Sequence, residues 1–270
     1  PNLTIRKLSL GGAAAFSYTG SGSGIDASFL LTTTTSGDAG VDSRTFHLGR
    51  TDGTFSVTEG ALAGWIVGSI SCDSATGIST STGDRNVTVR DPGSRDITCT
   101  FTNIKEPTIT VAKRTRGGYD TFVLNGTGGH GLAPTTTLTT NAGNSGYASA
   151  TYTLDQTGGD YSITEGTSAD FFLDDLSCTV GAGTATTSVS TGDGKATISD
   201  LGVGAAVTCV FLNAKKPQIQ IEKISNGSAG TFRFEVSSGS AHYLTPSLTT
   251  KHTAEYTSGT NKYQDLTTFT

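Results

Sequence analysis

The chain repeats itself, and this constrains its fold more than any other feature. LTIRKLSLGG at 3–12 recurs as ITVAKRTRGG at 109–118 and as IQIEKISNGS at 219–228. GTFSVTEG at 53–60 recurs as GDYSITEG at 159–166, and DITCTFTNIKEP at 96–107 as AVTCVFLNAKKP at 206–217. The offset is 106 from Lys7 to Lys113, from Glu59 to Glu165 and from Cys72 to Cys178. It is 110 from Cys99 to Cys209 and from Asn103 to Asn213, so four residues are inserted after the first cysteine of the second copy. A third copy begins with Lys223, 110 residues after Lys113, and its glutamate would fall near position 275. Three units follow: 1–105, 106–215 and an incomplete 216–270, as expected of a window cut from a tandem array.

A repeat of 106 to 110 residues is large enough to bury its own core. The chain holds 49 Thr and 29 Ser, with runs such as LTTTT at 31–35. Strand-favouring Thr, Val, Ile and aromatic residues alternate in short segments between Gly-, Asp- and Ser-rich turns. The expected fold is all-β: tandem β-sandwiches of about seven strands each, stacked end to end through links too short to be flexible. Charged residues make up 15% and the net charge is −5, which excludes a protein that binds nucleic acid through a basic face. No apolar run is long enough to span a bilayer as a helix.

Strand alternation places residues i, i+2 and i+4 on one face. Leu3 and Ile5 carry Lys7 inward, and Ile109 and Val111 carry Lys113. Phe55 and Val57 lead to Glu59, and Tyr161 and Ile163 lead to Glu165. Cys99 and Phe101 lead to Asn103, and Cys209 and Phe211 to Asn213. Each complete repeat is thus expected to bury one Lys, one Glu and one Asn, and an unpaired buried charge is costly. Three readings fit: strand ends facing water, a buried Lys–Glu ion pair with an Asn partner, or a spontaneous Lys–Asn isopeptide bond. In the third, desolvation favours a neutral, nucleophilic amine beside a protonated Glu that hydrogen-bonds the Asn carbonyl. The amine attacks the amide carbon and ammonia leaves, once per domain, without turnover.

Lys in the first strand, Glu in a central YSITE-type strand and Asn in the last strand resemble the prealbumin-like, collagen-adhesin B-type domains of bacterial pilins and surface adhesins. The resemblance covers both complete repeats and the start of the third. It implies bonds from Lys7 to Asn103 and from Lys113 to Asn213, promoted by Glu59 and Glu165, with Lys223 left as an unpaired crosslink lysine. The chain departs from the family after its glutamates, where GALAGW (60–65) and GTSADF (166–171) replace a Pro-Gly-Tyr element.

Four cysteines allow three connectivities, and pairing within each repeat, Cys72 with Cys99 and Cys178 with Cys209, is the simplest. Disulfides imply an oxidising, extracytoplasmic compartment. His47, His130, His242 and His252 share no repeat position, so no metal or other cofactor is expected. Asp174 with Asp175, and the turns at Asp84 and Asp193, read as solvated acids rather than calcium ligands. The N-x-S/T sequons at Asn2, Asn86, Asn125 and Asn226 are about as many as this Ser- and Thr-rich composition produces by chance. Trp65 and Phe171, six residues after each glutamate, are expected to cover the triads.

The expected role is structural: the stalk or filament shaft of a bacterial cell-surface protein, extracellular and not an enzyme. Its partners would be neighbouring domains or copies of itself. The alternatives are a filament subunit whose third domain is completed by a neighbouring chain, reacting Lys223 in trans, and an adhesin module that binds a host glycan or protein.

Overall fold

The computed structural model describes residues 1–226, 229–235, 237–238, 241–242, 247–249, 251–252 and 262–269. By internal contacts the chain divides into two compact units, Pro1–Ser168 with Leu173–Ala214, and Ala169–Phe172 with Lys215–Thr270. Among the described residues the only helical element is a single 3-10 turn at Asp38–Gly40. The rest of the regular structure is β, in two tandem sandwich-like domains and a smaller C-terminal set of strands.

The first sandwich contains β1 (Asn2–Leu10), β2 (Ala15–Ser21), β3 (Ser28–Thr32), β4 (Asp42–His47), β5 (Thr54–Glu59), β6 (Trp65–Cys72), β7 (Ile78–Ser81), β8 (Asn86–Arg90) and β9 (Ile97–Lys105). One sheet runs β4-β1-β9-β6 and the other β3-β2-β5-β8-β7. The second sandwich contains β10 (Thr108–Arg116), β11 (Thr121–Thr127), β12 (Thr135–Thr139), β13 (Tyr147–Thr153), β14 (Asp160–Glu165), β15 (Phe171–Ala182), β16 (Thr186–Ser190), β17 (Lys195–Ser199) and β18 (Ala206–Lys215). Its sheets, β13-β10-β18-β15 and β12-β11-β14-β17-β16, repeat the first pair strand for strand.

Each domain has nine strands rather than about seven. In the first domain the edge strands β4 and β7 bury little of either face and lack the two-residue alternation. In the second repeat β15 continues four residues past Cys178 to Ala182, whereas β6 ends at Cys72.

The central strands alternate as the sequence pattern requires. In β1, Leu3, Ile5, Lys7 and Ser9 are buried, and in β9, Ile97, Cys99, Phe101 and Asn103 are buried. The two inner faces meet in a core that includes Phe16, Tyr18, Phe55, Val57, Val87 and Phe101. β1 and β9 are adjacent and parallel, with Lys7 opposite Phe101 and Ser9 opposite Asn103. The same pairing joins β10 to β18, with Lys113 opposite Phe211 and Thr115 opposite Asn213. A parallel pair needs a long crossover, and here nearly the whole domain serves as one.

Between the repeats, only Glu106 and Pro107 separate β9 from β10. Gly204 N donates to Lys105 O at 2.8 Å, and Thr108 N donates to Ala205 O at 2.7 Å. Gly11 (φ +87) and Gly204 (φ +62) bring two backbones together, since a Cβ on Gly204 would lie 2.5 Å from Gly11 O.

In the C-terminal unit, Ile219–Asn226 pairs antiparallel with Lys262–Phe269, and Thr231–Arg233 with Ser247–Thr249.

Candidate functional site

The parallel pairing of first and last strands decides where the polar residues meet. Lys7 on β1 and Asn103 on β9 lie two positions apart on the inner face of one sheet. Glu59, at the end of β5, reaches them from the facing sheet. Lys7 Nζ donates to Glu59 Oε2 at 2.9 Å, and their side chains are 0% and 1% exposed. Asn103 Nδ2 donates to Glu59 Oε1, while Asn103 Oδ1 is buried without a hydrogen-bond partner. Tyr18 donates its hydroxyl proton to Glu59 Oε2 at 3.0 Å.

The second repeat assembles the same three residue types. Lys113 Nζ donates to Glu165 Oε1 at 2.7 Å and to Asn213 Oδ1 at 2.5 Å. Asn213 Nδ2 donates to the same Glu165 Oε1 at 2.6 Å, and Glu165 Oε2 is buried without a partner. The strand-end, water-facing alternative is therefore ruled out for both lysines. In both triads the glutamate faces the amide nitrogen, not the carbonyl expected from the sequence. A carboxylate can only accept, so the amide turns its N–H group toward it.

Aromatic rings close the site. Lys7 Nζ lies 4.1 Å from the centroid of Phe16, and Lys113 Nζ lies 4.1 Å from that of Phe122. Trp65 packs edge-on against Phe16 at 5.3 Å, so it covers the first triad through that ring, and Phe171 is buried. Burial strips water from the ammonium groups and lowers both Lys7 and Lys113 to about 8, an effect that Glu59 and Glu165 only partly offset. Burial, reinforced by the Glu59 charge, pushes the Tyr18 hydroxyl far above its ordinary value, so it stays protonated. A cleft of about 200 Å³ adjoins the first triad, lined by Glu59, Asn103, Leu62, Trp65 and Arg85 among others.

The cysteines pair within repeats, Cys72 with Cys99 and Cys178 with Cys209. Cys72 and Cys99 sit directly opposite each other on β6 and β9, so the bridge staples neighbouring strands of one sheet and does not cross the sandwich. Lys223 Nζ lies 4.2 Å from the Phe232 ring, which repeats the Lys7–Phe16 contact, and its backbone pairs with Asp265.

Other candidates resolve into structural roles. Asn86 Nδ2 donates to Ser56 Oγ, Val57 O and Thr58 Oγ1, which ties β8 to β5. Ser81 Oγ donates to Asp84 at 2.8 Å and Ser190 Oγ to Asp193 at 2.7 Å, closing equivalent hairpins. Asp174 pairs with Arg116, and His130 with Asp155. Among the described residues no group of three His, Cys, Asp or Glu could hold a metal ion. The side chains of Asn226, His242 and His252 lie outside the described residues.

Sequence reasoning missed two polar features. Tyr18 reads as one more inward aromatic beside Phe16, and only the pairing of β2 with β5 brings its hydroxyl to Glu59. Ser9 Oγ donates to Thr33 Oγ1 at 2.8 Å, and Thr115 Oγ1 donates to Thr140 Oγ1 at 3.1 Å in the second repeat. The continued parity after Lys7 and Lys113 was the available signal for that pair.

Among solved structures, the chain is similar to the major pilin T-13 of Streptococcus pyogenes, at 13% identity and a TM-score of 0.27, covering 80% of this chain and 97% of that one. It is similar to the C-terminal fragment of the pilus adhesin SpaC from Lactobacillus rhamnosus GG, at 14% identity and TM-score 0.29, covering 79% and 97%. It is also similar to a Mobiluncus mulieris adhesin described as containing intramolecular disulfide, isopeptide and ester bond cross-links, at 11% identity and TM-score 0.30, covering 77% and 86%. A comparison with curated proteins found no match. The sequence profile of the prealbumin-like fold domain matches twice, over residues 3–105 and 109–215. With most of its length matched in two tandem copies, the chain belongs to the prealbumin-like fold domain family.

Proposed function

We propose that this chain is a shaft segment that carries tension in an extracellular bacterial surface protein, each complete domain clamped by a Lys–Asn isopeptide bond and a disulfide. The observation that carries this reading is the Lys–Glu–Asn triad, whose lysines, asparagines and Glu59 are buried and whose Glu165 is partly buried. It recurs in both repeats, with Lys on the first strand and Asn on the last. A buried ion pair alone is a weak source of stability, because desolvation of two charges offsets their attraction. A buried amine lowered to about 8 beside a primary amide is instead a nucleophile next to its electrophile.

In the reaction, neutral Lys7 Nζ attacks Asn103 Cγ. Glu59 takes a proton from the attacking nitrogen and passes it to the amide nitrogen that it already touches. The C–Nδ2 bond breaks, ammonia leaves, and the new amide joins β1 to β9. Glu59 ends in the state in which it began. The cleft beside Asn103 provides a route for ammonia to leave the first domain. Lys113, Glu165 and Asn213 take the same roles in the second domain.

Once formed, the bond ties neighbouring parallel strands at the two ends of the domain, so tension entering on β1 leaves on β9 without unfolding the sandwich. The disulfides suit an oxidising, extracytoplasmic location. The partners are adjoining domains or further copies of the chain in a shaft. Intact mass after full reduction, with peptide mapping, tests the reading. Loss of one ammonia per complete repeat, with Lys7–Asn103 and Lys113–Asn213 peptides joined, is expected. A mass equal to that of the plain sequence would overturn it.

A further inference from the structure

Beside the two triads, one equivalent position carries a hydroxyl in the first repeat and none in the second: 18 and 124, an offset of 106. Tyr18 pairs across the sheet with Glu59, and Leu124 pairs in the same register with Glu165. Both side chains are buried. In the first repeat the glutamate's load is divided: Oε2 accepts from Lys7 and Tyr18, and Oε1 accepts from Asn103. In the second repeat Lys113 and Asn213 both crowd onto Oε1, and Oε2 has no partner. Leucine has no polar atom to supply one.

The phenol is also held rigidly. Its ring stacks on Phe29 at 4.9 Å with 7° between planes, and meets Phe101 edge-on at 5.4 Å. A phenol hydroxyl both donates and accepts, so it can stay bonded to the carboxyl group whether that group is ionised or has taken up a proton. A shuttle that must change protonation state during the reaction therefore keeps one fixed contact in the first repeat, and no equivalent contact in the second.

We propose that Tyr18 is a positioning residue for crosslinking in the first repeat. It pins Glu59 with Oε1 on the Asn103 amide nitrogen throughout the proton transfer, so the first bond closes faster than the second. This rests on the crosslinking reading above and adds an order to it: within one chain, the Lys7–Asn103 bond matures before the Lys113–Asn213 bond.

The test is a time course on the full chain made by cell-free synthesis under oxidising conditions. Samples are quenched in denaturant, and joined and unjoined Lys and Asn peptides are quantified by mass spectrometry. In the unaltered chain the first bond is expected to form about tenfold faster, the size of effect that one hydrogen bond to a charged group can exert on a barrier. Tyr18→Phe keeps the ring stack and removes only the hydroxyl. It is expected to slow the first bond about tenfold and leave the second unchanged, while Cys72–Cys99 pairing reports that the domain still folds. If Tyr18→Phe closes at the unaltered rate while Tyr18→Leu does not, the ring matters only for packing and the proposal is overturned, with crosslinking itself intact. Equal rates for the two bonds in the unaltered chain overturn it in the same way. Absence of ammonia loss from both repeats overturns the crosslinking reading and this proposal together.

Discussion

The first and second repeats use the same nine-strand order, the same parallel pairing of first and last strands and the same disulfide position, yet they surround their glutamates differently. What they share depends on parity and register, where a one-residue slip would turn a buried lysine to water and an apolar row outward. Several inward positions differ, among them Phe55 against Tyr161 and Val87 against Ala196, but at the one paired across the sheet with the glutamate Tyr18 stands against Leu124, and β15 is longer than β6. A sandwich core accepts either an aromatic or an aliphatic side chain at that position, because both fill space. Only the chemistry of the neighbouring carboxylate distinguishes them.

The largest expected effect comes from deleting a triad lysine. Lys7→Ala removes a link that closes almost the whole domain, about 4–5 kcal/mol by loop entropy. Hydrogen exchange read separately on peptides of each repeat should show the first repeat opening and the second unchanged. Lys113→Ala should reverse the pattern. Stretching single molecules gives the mechanical counterpart: only the repeat that lacks its lysine should extend under load, and unchanged extension would count against the clamp.

Removing a disulfide comes next. The loops span 27 and 31 residues, so Cys72→Ala with Cys99→Ala, and Cys178→Ala with Cys209→Ala, should each cost about 3.5 kcal/mol in denaturant titrations. A large inequality between the two would mean that strand extension in β15 changes more than loop length.

The pH dependence should be common to both repeats, since Lys7 and Lys113 are both lowered to about 8. The reactive form is the neutral amine, so crosslinking should quicken by about tenfold per pH unit below 8 and level off above it. In an Asn103→Ala chain, which cannot close the first bond, linkage sets the sign. The unfolded lysine holds its proton up to about 10.5 and the folded one releases it near 8, so the unfolded state binds more protons in that window. The stability of the first repeat should therefore rise between pH 8 and 10.5, and fall as pH drops through 8. The crosslinked chain, whose Lys7 no longer titrates, should lack this rise.

The smallest effect is expected on the outer faces. Thr4 pairs with Thr45, and Thr110 with Thr151, each at 2.9 Å between hydroxyl oxygens. Replacing either pair with alanine should cost less than about 1 kcal/mol, equally in both repeats, as measured by thermal melting. An unequal loss would show that the two outer faces are not equivalent.

The all-β class, the tandem copies and the inward parity of Lys7, Glu59, Asn103 and their counterparts are legible in the residues alone, because period-two alternation and repeat offsets are local or self-referential. The edge strands β4 and β7 are not, since a strand that buries little of either face carries no clear alternation. The tertiary structure alone decided that β1 lies beside β9, which places Lys7 next to Asn103 across 96 residues of chain, with Glu59 reaching in from the opposite sheet. It also decided that the Tyr18 hydroxyl meets Glu59 and that Glu165 has no equivalent partner. Alternation says which face a side chain takes, but sheet order and cross-strand register say which atoms touch, and those depend on contacts between segments far apart in the chain.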